Sequence, residues 1–500
     1  MIEAYRVADV RTLEDRARAG LPDGELMARA SRGLAGVAGV RLEERHGRRV
    51  VALVGGGDNG ADTLYAAGLL AEAGYAVAVV SVDRGGEDVA TEAAIADGVV
   101  LLHHDDAWAE VLAEADVVLD GLTGIGGRPG LRPDVWPWVE AIPEDAWVIA
   151  VDLPSGADPA GEAVPDEDVA QGSTGPAHLV PADETVTFSL AKPVHLMPAT
   201  EAAVGRLTVV DIGVDARGVT PAVERVTFDD VAALWPTPGA SSDKYSRGVV
   251  GIVAGSVRYP GAAVLSVLGA LGAGPGMVRY LGPRDVRWLV HQAAPEVVTA
   301  GGRVQAWVIG SGFDIDGVSG ESREQRENAE RALASDLPVL VDAGALALVD
   351  RRDAPTLLTP HAGELATLLT RLGAGPGGGE VSRQDVTRAP LAHARAAAER
   401  TGATLLLKGA HTLVVGPDPA AAIRSQADAP AWLATAGAGD VLGGLIGTLL
   451  AAGLSPLDAG SLGALVHGVA ADRASGGGPL RVTEVAHGIP AVVASLLTRA

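Results

Sequence analysis

The sequence predicts a two-domain α/β protein, each domain a parallel sheet covered by helices on both faces. Three observations predict it. The chain has 500 residues, more than the roughly 100–200 that one domain usually holds. Short apolar runs alternate with helical stretches, the signature of repeated strand–helix units. That alternation stops in residues 213–240, which carry Gly, Pro and Thr and few periodic apolar positions, and restarts at Gly248. The linker is expected there, with a boundary near residue 220 and a second domain larger than the first.

In chain order, residues 5–46 alternate apolar and charged positions at helical spacing, broken by Pro22-Asp23-Gly24. Val50–Val54 reads as a buried strand running into Gly55-Gly56-Gly57, followed by a helix from Asp62 to Ala73. A strand at Ala76–Val82, a helix at Val89–Asp97, and strands at Val99–Leu102, Val117–Leu119 and Val148–Val151 follow. Ser155–Asp183, rich in Gly, Pro and acids, reads as a long loop; Thr185–Phe188 and Leu207–Asp211 close the first sheet. The second domain opens with strand Val249–Ala254 and helix Ala262–Leu271. Its further strands are Met277–Leu281, Ala306–Ile309, Pro338–Val341, Leu357-Leu358, Thr404–Leu407 and Leu413–Val415. It ends in helices Gly437–Ala452, Pro456–Asp472 and Thr483–Arg499.

Composition narrows the chemistry. There is no Cys, which excludes disulfides, thiolate metal sites, iron–sulfur clusters and Cys nucleophiles. With 17 aromatic residues (8 Trp, 6 Tyr, 3 Phe) the core must be filled mainly by Ala, Val and Leu. The net charge of −24 argues against nucleic acid, whose phosphates need a basic face. Residues 1–220 carry 37 acidic and 16 basic side chains, the remaining 280 carry 26 and 23; the imbalance reads most simply as a soluble acidic surface. No signal peptide is visible in Met1-Ile2-Glu3-Ala4-Tyr5-Arg6, and the uncharged stretch Val441–Leu457, broken by Ser455-Pro456, reads as a buried helix rather than a membrane span. A cytoplasmic enzyme without membrane or nucleic-acid partners is expected. Of the 39 basic residues only Lys192, Lys244 and Lys408 are lysines, and Asn occurs only at 59 and 328. Where a chain avoids a residue type, the survivors merit inspection.

Ligands of such sheets bind beyond the carboxyl ends of the strands. In the first domain these ends carry Gly55-Gly56-Gly57-Asp58-Asn59-Gly60-Ala61-Asp62, Asp120-Gly121-Leu122-Thr123-Gly124-Ile125-Gly126-Gly127-Arg128 and Asp152-Leu153-Pro154-Ser155-Gly156. Glycine lets backbone N–H groups approach a phosphate, and the oxygens suit a hard cation; ordinary turn chemistry accounts for any one of these loops alone, but three on one rim point to a site. In the second domain the strongest signal is Ala436-Gly437-Ala438-Gly439-Asp440 opening an apolar helix. Its N–H groups form an anion hole, and its Asp is placed to take a proton from an attacking hydroxyl; an Asp cap on the helix is the structural alternative. Lys408-Gly409-Ala410-His411-Thr412 follows a strand and suits a nucleotide phosphate. Thr359-Pro360-His361-Ala362-Gly363-Glu364 lies between strand and helix, with His361 able to bind substrate and Glu364 to cap the helix. Gly310-Ser311-Gly312 ends another strand, and Ser242–Gly248 precedes Val253-Ala254-Gly255-Ser256 and Tyr259-Pro260-Gly261-Ala262-Ala263.

The first set of loops, in this order, resembles the NAD(P)H-hydrate epimerase family, and residues 240–500, roughly, resemble the NAD(P)H-hydrate dehydratases. The resemblance implies a Rossmann-like three-layer domain over residues 1–220 and a ribokinase-like domain over 221–500. It implies that Asp58, Asn59, Gly60, Ala61 and Asp62, the loop Gly124, Ile125, Gly126, Gly127, Arg128, Pro129 and Gly130, and Asp152 contact a hydrated dinucleotide, and that Asn59, Asp120 and Ser155 hold a potassium ion. Asp58 stands where the family usually has Asn, and Ala61 where it has Gly. Asp152 and Lys192 are the candidate acid/base pair of epimerisation, a solvated lysine being the alternative for Lys192. For the second domain the resemblance implies that Ala262 or Ala263, Gly312, His361 and Asp440 contact hydrated NADH or NADPH. AMP or ADP would be bound by Lys408, Gly409, Ala410, His411, Thr412 and Gly439, with magnesium accompanying ADP or ATP. Departures here are Ala438, where Thr is common, and Phe313-Asp314, where Leu-Gly is frequent. Asp440 is the expected catalytic base. The resemblance leaves homo-oligomerisation open. A ribokinase-like small-molecule kinase with a non-catalytic nucleotide-binding N-terminal domain is the alternative reading.

Overall fold

Strands form where Val, Leu, Ile and Ala run together with both faces buried, as parallel sheets under helices require. In a computed structural model all residues are described except 83–88, 103–106, 163–178, 315–316, 318, 376–377 and 499–500. Most of the loop expected over Ser155–Asp183, and the end of the helix expected to reach Arg499, lie outside the described residues. The chain separates into two compact units, residues 3–223 and residues 1–2 with 224–500.

The strands in chain order are β1 (Ile2–Ala4), β2 (Arg49–Val54), β3 (Ala76–Ser81), β4 (Val100–Leu102), β5 (Val117–Gly121), β6 (Trp147–Val151), β7 (Glu184–Phe188) and β8 (Arg206–Val210). They continue with β9 (Val223–Arg225), β10 (Val249–Val253), β11 (Met277–Tyr280), β12 (Ala306–Ile309), β13 (Val339–Val341), β14 (Thr356–Leu358), β15 (Thr404–Leu407), β16 (Thr412–Val415) and β17 (Ile423–Gln426). The smaller unit holds a seven-stranded sheet in the order β4-β3-β2-β5-β6-β7-β8, parallel at every pairing. Strand order reverses at β2, so the crevice for a ligand opens beyond β2 and β5. The register pairs Val54 with Gly121 and Asp120 with Ala150, which sets the ends of β2, β5 and β6 nearly level.

The second sheet has ten strands, β1-β9-β17-β16-β15-β14-β13-β12-β10-β11, of which β10 to β17 lie wholly in the larger unit. It is parallel from β11 to β15, whereas β16 and β17 run antiparallel, so Lys408–Thr412 belongs to a hairpin between β15 and β16. Val253 pairs with Ile309, Ile309 with Val341 and Val341 with Leu358. The residues that follow these four strands are therefore presented side by side.

Three expectations change. Strand β9 and a helix at Val231–Leu234 occupy the stretch read as linker. Strands β1 and β17, and helices such as Arg284–Ala293, Gly320–Leu333 and Pro390–Thr401, carried no reading from sequence. The first glycine-rich loop is shorter than expected, because the helix after β2, which ends at Glu72, begins at Gly57 and not at Asp62. Gly and Asp are poor helix formers, but this segment is built onto the sheet, and packing overrides propensity.

The apolar stretch near residue 441 is the helix Ala438–Ala451, buried along nearly its whole length. It meets the helix Pro260–Gly272 backbone to backbone: a Cβ on Gly444 would lie 1.9 Å from the Ser266 carbonyl oxygen, and one on Gly269 would lie 2.2 Å from that of Val441. Among the described residues no helix is long and apolar enough to cross a membrane.

Candidate active sites

In the smaller unit a cavity of about 870 Å³ opens at the reversal of strand order, a size suited to a nucleotide-sized ligand. The helix from Gly57 presents Asp58, Asn59 and Asp62 to it; the loop after β5 presents Leu122 to Gly127; Asp152 comes from the end of β6. Gly60, Ala61, Arg128, Pro129 and Gly130 are not among its lining residues. Gly60 is buried, and the Gly130 N–H ties its loop to the Gly156 carbonyl at 2.7 Å. Gly55 is required for this closure, since a Cβ there would lie 1.8 Å from the Leu122 carbonyl oxygen.

Asn59 and Ser155 converge on Thr123, and Asp120 joins them through Ser155. The Asn59 amide donates to the Thr123 carbonyl at 2.9 Å, and the Thr123 N–H donates to Ser155 Oγ at 2.8 Å. The Ser155 N–H donates to Asp120 Oδ2 at 2.8 Å. Asp120 is completely buried; burial pushes its carboxyl up to about 6 against hydrogen bonds from Ser155 and Leu122, and no basic side chain acts on it. A buried carboxylate beside a hydroxyl and an amide oxygen is a donor set that fits a monovalent hard cation.

Asp152 is the most constrained residue of the cavity. Its backbone is left-handed, φ +67°, unusual for a residue with a side chain. Three groups hold it there. The Lys192 ammonium pairs with Oδ1 and also donates to Thr187 Oγ1 at 2.9 Å; the Thr187 hydroxyl donates to Asp152 Oδ1 at 2.9 Å. His195 Nδ1 accepts the Lys192 N–H at 3.0 Å, so Nε2 carries the hydrogen and donates to the Asp152 carbonyl at 2.7 Å. Burial, then the Lys192 charge, push His195 down to about 4, so it stays neutral. Lys192 is 1% exposed and is not among the cavity-lining residues. The solvated reading of Lys192 fails, and any part it has in proton transfer passes through Asp152.

Sequence reasoning missed the wall opposite these loops. Arg11, Glu14, Asp15 and Arg18, from the helix Val7–Arg18, and Leu26, Met27 and Ala30, from the helix Glu25–Arg45, line the cavity. Their only signal in the sequence was an amphipathic pattern. Burial raises the Glu14 carboxyl, opposed by Lys192 and reinforced by Asp152. Asp62 is held well above the ordinary range by burial and by the charges of Asp152, Asp58 and Glu14, and its Oδ1 is buried without a hydrogen-bond partner.

In the larger unit the four level strand ends, with β15, assemble the second site. Asp440 lies in the first turn of its helix, whose N-cap Gly437 has φ +92°. Burial, then the charge of Asp342, push its carboxyl up to about 7, against a Ser311 hydrogen bond and the Lys408 charge. Lys408 Nζ donates to Asp342 Oδ1 at 2.7 Å and stands 3.7 Å from Glu364 Oε2. A Cβ on Gly439 would lie 3.3 Å from that ammonium, so Gly439 leaves it room beside the helix N-terminus. The Lys408 N–H donates to the Pro360 carbonyl at 2.9 Å, which joins the nucleotide hairpin to the His361 loop. Gly409, Ala410, His411 and Thr412 complete that hairpin, with Gly409 and Ala410 exposed.

His361 has two duties. Its Nδ1 caps the helix Ala362–Leu372, accepting the N–H groups of Gly363 and Glu364 at 3.1 and 3.2 Å, so Nε2, 3.5 Å from Glu364 Oε1, is the ring atom that can meet a ligand. Gly312, φ +67°, packs against Ala262; a Cβ on it would come within 2.6 Å of Ala262 Cβ. Ala262 is half-buried, whereas Ala263 is completely buried under Gly255, so only Ala262 of that pair is open to a ligand. Lys244 is exposed over the ring of Tyr245 and outside this cluster. Asp342 and Thr359 were missed as site residues: the only sequence signal was a polar residue directly after an apolar strand.

Comparison with known proteins follows the same two halves. A family model described as NAD(P)H-hydrate dehydratase matches residues 250–482, and one described as YjeF-related protein N-terminus matches residues 23–194. The bifunctional NAD(P)H-hydrate repair enzyme of Mycobacterium leprae is 40% identical over 494 residues, covering 93% of this chain and 93% of that protein. That of Corynebacterium glutamicum is 32% identical over 537 residues, covering 89% of each. The crystal structure of an ADP/ATP-dependent NAD(P)H-hydrate dehydratase from Bacillus subtilis, co-crystallised with ATP/Mg2+, aligns with a TM-score of 0.48 at 26% identity, over 55% of this chain and 99% of that one.

Proposed function

The chain belongs to the bifunctional NAD(P)H-hydrate repair enzymes, and from that premise we propose which residues carry each step. The enzyme interconverts the R and S forms of hydrated NADH and NADPH and dehydrates the S form at the expense of ADP or ATP. We assign epimerisation to residues 1–220 and dehydration to residues 221–500.

In epimerisation the C6–O bond breaks as the ring-nitrogen lone pair forms a C=N bond. The leaving hydroxyl takes a proton and departs as water; water then adds to the opposite face and returns the proton. Asp152 holds and moves that proton, and Lys192, Thr187 and His195 keep its carboxylate aimed at the cavity. The helix N-terminus at Gly57–Asn59 and the glycines after β5 receive the dinucleotide phosphates. Asn59, Asp120 and Ser155 would hold potassium, and the ion would supply the positive charge that no basic side chain gives Asp120.

In dehydration Asp440 takes the proton of the C6 hydroxyl while its oxygen attacks the terminal phosphorus of the nucleotide. With ADP, AMP leaves; the phosphorylated C6 oxygen is then expelled as phosphate by the ring nitrogen, and loss of a C5 proton restores the double bond. The sum is hydrated NAD(P)H plus ADP to NAD(P)H, AMP and phosphate. Lys408, with the Gly439 N–H, faces the nucleotide phosphates, His361 Nε2 and Ala262 the nicotinamide end. Magnesium would be carried in by the nucleotide phosphates, whose oxygens suit it. The enzyme works in the cytoplasm on small molecules, with a net charge of −24 that disfavours nucleic acid as a partner.

The observation that carries this reading is Asp440, with a carboxyl near neutrality, beside Lys408 at a glycine-opened helix N-terminus. Purified protein given hydrated NADH and ADP is expected to restore the reduced-nicotinamide absorbance. Without nucleotide it should interconvert pure epimers faster than they do spontaneously. A stable phosphorylated product would mark a small-molecule kinase instead.

A further inference from the structure

Asp342 is among the most buried charged groups of the larger unit, 3% exposed. It stands directly after β13, between the loops that carry Ser311 and Thr359, and each of its oxygens is engaged. Oδ1 accepts from Lys408 Nζ at 2.7 Å and from the Thr359 hydroxyl at 2.9 Å; Oδ2 accepts from the Ser311 hydroxyl at 3.3 Å. Ser311 also acts on Asp440, favouring its ionised form. The hydroxyl that Asp342 holds thus stands by a second carboxylate, whose charge also acts on the Lys408 ammonium. The backbone is shaped around this residue: Gly310 has φ +113°, and a Cβ there would lie 1.9 Å from the Asp342 carbonyl oxygen.

We propose that Asp342 is a positioning residue of the dehydration reaction, fixing the Lys408 ammonium beside Gly439 and holding the Ser311 hydroxyl between itself and Asp440. The inference rests on the dehydratase reading of this unit. Without Asp342 the lysine would lose its hydrogen-bonded carboxylate and be left with Glu364 at 3.7 Å and the charge of Asp440; Glu364 is already committed to the His361 N–H at 2.9 Å. Lys408 would then no longer be fixed in one place beside the anion hole. The charge of Asp342 has a second effect. The charged groups acting on Asp440 are Asp342 and Lys408, and Glu364, beside His361, acts on Lys408. Asp342 makes Asp440 harder to ionise and hence a stronger base once ionised, while Ser311 works in the opposite sense.

Two substitutions should therefore move the acid limb of dehydration in opposite directions. Asp342→Asn is expected to shift it to lower pH by about half a unit or more, and to weaken AMP binding about tenfold by calorimetry. Ser311→Ala should shift it to higher pH with AMP affinity within about twofold of wild type. A third variant, Thr359→Val, keeps the charge of Asp342 but frees one anchor; it should weaken AMP binding and leave the limb in place. A merely structural role would lower rates in all three without moving the limb. Coincident pH profiles for wild type, Asp342→Asn and Ser311→Ala, or unchanged AMP affinity in Asp342→Asn, would overturn the proposal. Should Asp342→Asn not fold, the upward limb of Ser311→Ala and the weakened binding of Thr359→Val decide it. If wild type restored no NADH, the dehydratase reading would fall, while AMP affinity in these variants would still test the anchoring of Lys408.

Discussion

The carboxyl of Asp440 is pushed up to about 7 by burial and by Asp342, which makes dehydration pH-dependent where most carboxylate chemistry is flat. A general base works only when ionised, so activity should fall as pH drops through that value. A single group near 7 is about 10% ionised at pH 6, about half at pH 7 and about 90% at pH 8. The rate at low substrate should thus rise about tenfold from pH 6 to pH 8 and level off above. An ordinary exposed aspartate, near 3.9, would give almost no change over that range. The assay is recovery of reduced-nicotinamide absorbance from S-hydrated NADH with ADP in excess, in buffers of constant ionic strength. Asp440→Asn, which keeps the shape and loses the base, should be slower by about 10²–10⁴-fold while binding AMP and epimerising normally. A flat profile between pH 6 and 8, or an Asp440→Asn enzyme of wild-type rate, would refute the reasoning.

Other outcomes follow from the smaller unit. Lys192→Met leaves Asp152 buried without its cation; epimerisation should disappear, and thermal unfolding should show a loss of about 3–5 kcal/mol, as when a buried pair is broken on one side. Asp62→Asn removes a carboxylate whose Oδ1 is buried without a partner, so it should stabilise the fold by about 1 kcal/mol while slowing epimerisation, and a lowered melting temperature would count against the burial argument. Gly55→Ala places a methyl 1.8 Å from the Leu122 carbonyl oxygen; a cost of about 2 kcal/mol, typical of overpacking, and a damaged epimerase are expected, with dehydration by the same sample as the control. Replacing potassium by choline should slow epimerisation and spare ADP-dependent dehydration of the S form, since only the first site carries the Asp120 donor set.

What could be read from the sequence was local. Val50–Val54 before three glycines, and Gly437-Ala438-Gly439-Asp440 before an apolar run, signal strand, turn and helix N-terminus within a dozen residues. Hydrophobic periodicity and glycine tolerance act at that range. The order of such pieces also sufficed for the family. Even here local propensity misjudged one boundary, placing Asp58–Ala61 before a helix that in fact begins at Gly57.

What only the tertiary structure decided was which of the chain's 63 acidic residues matter. Glu14 and Asp342 carry no motif. They become site residues because a helix wall closes over one sheet end and because the parallel pairing of β13, β14 and β15 brings Asp342 to Lys408, 66 positions away in sequence. Lys192, whose sequence admitted both a solvated and a catalytic reading, is resolved by burial against Asp152. The physical reason is common to all of these. A charge gains its chemical character from desolvation and from the few groups left to compensate it, and both are properties of packing between distant segments rather than of neighbouring residues in the chain.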